Sequence, residues 1–240
     1  MTTPSKDLIK SIKAHVKAHM DQNDASHDFH HIRRVVTTAH KIYHELNSPP
    51  QMDLDTITLA ALLHDINDRK YLPNGTTPGE AQTMISTLLV QKGASQQLAD
   101  KIQDICHGVS YTTETSDVAA NQALGTKYPE LAVVQDADRL DSMGAVGIGR
   151  LFTFGGARTH GGGRINGALV TKESMQETMR LLDGKLLRLV GMMKTVPGAR
   201  MGREREKCLR TFREWWVGEV EFEGDETGWF GEEQDGEESK

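Results

Sequence analysis

The sequence predicts an all-α protein, on three observations. Apolar residues recur at three- and four-residue spacing over most of the chain. Helix punctuation recurs with them: a side-chain oxygen or proline before an apolar stripe, glycine or proline after it. Runs that alternate apolar and polar residues, as half-buried strands do, are almost absent.

A first helix opens at Pro4 or Ser5 and carries Leu8, Ile12, Val16 and Met20 on one stripe. Ser26 is the expected cap of a second, with Asp28 near its positive end. Its apolar face holds Ile32, Val35, Val36, Ala39, Ile42, Tyr43 and Leu46, and Asn47-Ser48-Pro49-Pro50 stops it. Asp53 or Asp55 caps a third, which runs through Ile57, Ala60, Ala61 and Leu63 to His64. Thr77, Pro78 and Glu80 stand as cap, first-turn proline and capping box of a fourth, which ends at Gly93. Ser95 caps a fifth, with Leu98, Ile102, Ile105 and Val109 inward.

Residues 110–128 are polar and turn-rich, so they read as a connection. Pro129 opens a sixth helix through Leu131, Val133 and Val134 toward Asp138 and Leu140. In the glycine-rich stretch 144–168, Gly144, Gly147 and Gly149 suit closely packed helix and the later glycines suit a loop. Two more helices are expected, at about 172–194 and 200–222. There is no internal repeat and no clear boundary. Residues 1–222 read as one domain with its core at about 26–142 and its C-terminal helices at about 172–222. Residues 223–240 read as an acidic, disordered tail.

Hydrophobic residues are 37% and charged residues 26% of the chain, enough for a packed core. The net charge of -6 belongs to the tail: residues 223–240 hold eight acidic residues and one lysine, which leaves 27 basic against 26 acidic side chains elsewhere. A neutral body without basic blocks argues against broad nucleic-acid binding. Arg200, Arg203, Arg205, Lys207, Arg210 and Arg213 alternate with glutamates, which reads as a solvated helix. Cys106 and Cys208 stand in no paired spacing and read as reduced thiols. No signal-like or membrane-spanning apolar run is present, so a cytoplasmic protein is expected.

The stretch LAALLHDINDRK places a histidine and an aspartate at the end of an apolar helix. Charges so placed need a partner or a metal. HDFHHIRRV offers His27, Asp28, His30 and His31, and VVQDADRLDSMG offers Asp136, Asp138 and Asp141. Three helices thus deliver imidazoles and carboxylates at the inner edge of apolar stripes, as bundle metal sites require. This donor mixture suits Mn, Fe, Zn or Mg. Taken singly, each has a plainer reading: a core histidine, a helix-end pair, a solvated charged face.

HDFHHIRRV, LLHDINDRK and QDADRLDSMGAVGIGR together resemble the motifs of the HD superfamily of metal-dependent phosphohydrolases. They are similar above all to the stand-alone group that includes bacterial nucleoside-triphosphate pyrophosphohydrolases. The likeness spans about residues 20–215 and implies an HD-domain helical bundle with a metal site between core helices. It implies one divalent ion, manganese by preference, on His31, His64, Asp65 and Asp138. His27 and Asp28 match further motif positions, in a second shell or at the substrate. Lys70 and Arg139, with Arg34 beside them, are the expected phosphate contacts.

Asp65 and Asp68 are the expected catalytic residues. Asp68, three positions on, shares a face with Asp65 if the helix continues and would orient the attacking water or shuttle its proton. The implied reaction converts a nucleoside triphosphate to monophosphate and pyrophosphate by metal-activated water. A 5'-nucleotidase or phosphodiesterase on the same site is the alternative, and a non-catalytic metal-dependent nucleotide sensor the alternative of another class. The implied partner is a small nucleotide, with no membrane, and the protein is monomeric or a homodimer. The HGGG run at 160–163 and the acidic tail depart from the family pattern and bear on substrate preference.

Overall fold

The structure is a computed structural model that describes residues 4–20, 28–67, 75–158 and 172–220, without the side chains at 78, 156–158 and 172–174. All of its regular structure is helical among those residues. In order, the helices are α1 (Lys6–Met20), α2 (Phe29–Glu45), α3 (Leu54–Leu63), α4 (Pro78–Gln91) and α5 (Gln96–Val109). Then come α6 (Tyr111–Ser116), α7 (Val118–Lys127), α8 (Glu130–Asp141), α9 (Gly144–Arg158), α10 (Lys172–Gly184) and α11 (Val196–Val220), with a 3-10 segment Leu186–Met192 before the last. No described helix is long and apolar enough to cross a membrane.

The caps show why the helices begin where they do. Asp53 rather than Asp55 caps α3, accepting from Thr56 N at 3.0 Å. Thr77 and Glu80 form the capping box of α4, and Ser95 caps α5. For α2 the cap is Asp28, not Ser26: its Oδ1 accepts from His31 N at 2.9 Å. Ser26 and the expected acidic tail lie outside the described residues.

α3 is the centre of the first core. Its small and branched residues are buried on every side, between α1, α2, α5 and α8. α2 lies against both α3 and α8, which brings the start of α2, the end of α3 and the end of α8 together. A second apolar cluster joins Met143, Leu151, Leu182, Leu186, Leu189 and Leu209 from the turn between α8 and α9, α9, α10, the 3-10 segment and α11. Trp216 packs with Phe152 and Phe212 there, while Trp215 stays 65% exposed.

Two expectations are corrected. Residues 110–128 are not a connection but form α6 and α7, capped by Ser110 and Asp117. What these helices bury is polar: Glu114 and Asn121 reach under α8 to Gln135 and Arg139. The last two helices also divide differently. α10 stops at Gly184, and α11 starts at Val196 because Asp136 accepts the backbone N–H groups of Lys194 and Thr195, both at 2.8 Å. Gly198 passes so close to this carboxylate that a Cβ there would stand 2.1 Å from Asp136 Oδ2.

Candidate metal centre

His31 sits in the first turn of α2, fully buried. Its Nδ1 donates to Asp141 Oδ2 at 2.7 Å. His64 follows the last residue of α3, and its Nδ1 donates to Ala61 O at 3.0 Å. With both Nδ1 atoms engaged, the Nε2 atoms point at one another across 3.2 Å. Two imidazole lone pairs repel at that distance unless a proton or a cation lies between them.

Carboxylates close the arrangement. Asp65 Oδ2 lies 3.2 Å from His31 Nε2, and its Oδ1 lies 3.5 Å from His64 Nε2. Asp138 Oδ1 lies 3.5 Å from each of the two imidazoles. One ligand atom from each of His31, His64 and Asp65 falls within 4.8 Å of the others. Burial by itself would lower the pKa of His64, but Asp65 and Asp138 outweigh it and raise the value to about 9. The pocket therefore favours positive charge between these groups. Two imidazole nitrogens, two carboxylates and hydrogen-bonded outer ring nitrogens are a donor set that fits a divalent ion of the Mn, Fe or Zn kind.

Asp141 is the support beneath this set. Besides His31, it receives Arg34 through two bonds, Nε to Oδ1 at 2.7 Å and Nη2 to Oδ2 at 3.0 Å. Arg150 Nη1 adds a third cationic contact at 3.0 Å. Burial would raise the Asp141 pKa, yet these partners hold it well below the usual carboxylate range. It is therefore an anion that fixes the His31 ring and its tautomer. The sequence offered Asp141 only as an alternative ligand. Its i, i+3 spacing from Asp138 was the available signal, whereas nothing marked Arg150.

Of the expected site residues, His31, His64, Asp65 and Asp138 come together. Asp28 stands at the start of the same turn as His31, but as the helix cap. Arg34 donates to both oxygens of Asp141. Arg139 is engaged elsewhere. Next to Asp138 in sequence, it points about 100° away around the helix, donating to Glu114 and to Met192 O. Burial pushes its pKa down to about 10. It holds α6 and the 3-10 segment to α8. Asp68, Lys70 and His27 lie outside the described residues. His107 is exposed on α5, and His40 bonds Thr58 Oγ1 at 2.8 Å.

The HD domain family matches residues 28–143, the span that holds all four converging residues. The YpgQ protein of Bacillus subtilis is 32% identical over 203 residues, which cover 85% of this chain and 89% of that one. The chain belongs to the HD superfamily of metal-dependent phosphohydrolases.

Solved structures agree in fold. The crystal structure of Bacillus subtilis YpgQ in complex with ADP is 29% identical, with a TM-score of 0.63 over 89% of this chain and 95% of that one. An HD-superfamily hydrolase from Bacillus thuringiensis, 24% identical, matches in fold with a TM-score of 0.60 over 88% and 95%. In this HD chain the pair that names the family is His64–Asp65, at the end of the most apolar helix.

Proposed function

We propose that this HD hydrolase cleaves nucleoside triphosphates between the α- and β-phosphates, giving a monophosphate and pyrophosphate. The observation that carries the reading is the convergence of both Nε2 atoms with Asp65 and Asp138 on one point, with the outer nitrogens of both rings held. His31, His64, Asp65 and Asp138 would hold the divalent ion. Bound there, such an ion supplies a lowered pKa for water and polarises a phosphoryl oxygen.

The protein's own part is orientation and proton handling. Asp141, clamped by Arg34 and Arg150, keeps the His31 ring in place. Asp28 caps the turn that carries it. Asp68 is the candidate to take the proton of the attacking water as its oxygen bonds to the α-phosphorus, while the bond to the leaving pyrophosphate breaks. Lys70, two residues beyond Asp68, is the candidate phosphate cation. Arg139 is left out of this set because its guanidinium is spent on Glu114. Support for a nucleotide comes from YpgQ, whose structure was solved with ADP.

The test is incubation with Mn(II) and a panel of nucleoside tri-, di- and monophosphates, with products identified by phosphorus NMR. Pyrophosphate with a monophosphate is expected from triphosphates. Orthophosphate from monophosphates would move the reading to a 5'-nucleotidase, and no turnover with metal bound would favour a nucleotide sensor. Asp65→Ala is expected to lose metal and activity together, and Asp68→Ala to keep the metal and lose rate.

A further inference from the structure

A groove of about 580 Å³ is lined by Asp141, the carboxylate that holds His31 Nδ1, but by neither imidazole of the metal centre. Its walls are the first half of α2 (His30, Arg33, Arg34, Thr37, Thr38), the turn from α8 into α9 (Asp141 to Val146) and Arg205 of α11. Three arginines thus face one carboxylate, and that carboxylate is already met by Arg34 and Arg150. Arg33 is exposed, and among the described residues no acidic group pairs with it.

The start of α9 adds to this charge. The first backbone N–H groups of a helix have no partner within it, and its dipole places positive charge there. Met143, just before α9, has no side-chain oxygen to accept from them. Gly144 takes a φ of +71°, and a Cβ on it would come within 3.3 Å of Arg205 Cγ. The glycine therefore lets the Arg205 side chain lie across the opening of α9, where its Nη1 donates to Leu140 O and its other guanidinium N–H groups are left for a ligand. Further along α11 the cations are spent on neighbours, Lys207 on Glu204 and Arg210 on Glu206.

We propose that this groove binds the phosphate groups of a small anion, as a site separate from the His31–His64–Asp65–Asp138 centre. Arg33 of α2 and Arg205 of α11 supply charge-assisted bonds, and the amides at the start of α9 supply neutral donors. The groove has room for more than one phosphoryl group, so inorganic pyrophosphate, orthophosphate and a nucleotide phosphate share the required chemistry. The site does not depend on which bond the metal centre cleaves.

The test is calorimetric titration of pyrophosphate, orthophosphate and a nucleoside monophosphate into the full chain, with chelator present and divalent ions absent. Saturable pyrophosphate binding is expected. Arg33→Glu is expected to weaken it about tenfold or more, the size of one charge-assisted contact. Val146→Asp is the second variant: Val146 is 44% exposed, and an acid in the first turn suits a helix while placing a rival anion at the groove. Asp65→Asn is expected to bind pyrophosphate as the unaltered chain does. The ranking of the three anions names the source, any saturable ranking with these variant effects supporting the site. No saturable binding, binding by Arg33→Glu and Val146→Asp equal to that of the unaltered chain, or a clear change in either direction in Asp65→Asn would each overturn the proposal, the last by placing the anion at the metal centre.

Discussion

His31 Nδ1 and Asp141 Oδ2 stand 2.7 Å apart, joined across 110 positions of sequence. This bond ties the start of α2 to the end of α8 and decides which nitrogen of the ring faces Asp65 and Asp138. Asp141→Asn keeps the shape but removes the charge that holds Arg34 and Arg150. Metal affinity is expected to fall about 10–100-fold, as for other residues that orient a ligating histidine. Titration with Mn(II) against the unaltered chain reads this directly, and unchanged affinity would remove Asp141 from its supporting role.

Glu114 and Arg139 form a buried pair under α8, with Lys194 Nζ also on Glu114 at 2.6 Å. Glu114→Ala leaves a buried guanidinium without its anion, and a loss of about 3–5 kcal/mol is expected. Glu114→Ala combined with Arg139→Met should regain much of it, since no charge is then stranded. Urea unfolding of the three proteins checks both. A loss of under about 1 kcal/mol in the single variant would mean that water reaches Arg139 readily.

Gly198 sits where α11 begins against Asp136. Alanine there would bring its Cβ 2.1 Å from Asp136 Oδ2 and 2.8 Å from Thr195 Oγ1, so the carboxylate must leave the Lys194 and Thr195 amides or α11 must move out. Gly198→Ala is expected to cost about 1–3 kcal/mol in unfolding experiments. Gly149, with nothing near its missing Cβ, should accept alanine with little change or a small gain.

Cys106 is buried in the first core with its Sγ 3.5 Å from Ala60 O, and burial, aided by the nearby Asp65 charge, pushes its thiol pKa up. Cys208 is partly exposed. A thiol-specific colour reagent should therefore titrate one cysteine in the folded chain and two in denaturant. Two fast thiols in the native protein would show that the core around α3 and α5 opens readily.

Much of this was legible because the signals are local. The stripe Leu8, Ile12, Val16, Met20 and the Thr77–Glu80 capping box each declare a helix within a few residues. The four converging residues were legible for a different reason: their motif frames, such as His31 with Arg34 and Val35, are short and specific. What escaped was polar burial. α6 and α7 bury Glu114 and Asn121 instead of an apolar stripe, so hydrophobic periodicity passes over them.

The sequence by itself determined the helical class, most helix starts and the residue types that meet at the metal centre, since each depends on spacing along one segment. Only the tertiary structure decided what the neighbouring cations do. Arg34 and Arg139 look alike beside their ligands, yet one clamps Asp141 and the other is buried on Glu114. The difference lies in which helix packs against each face of α2 and α8, and an arginine follows whichever anion that packing brings within reach.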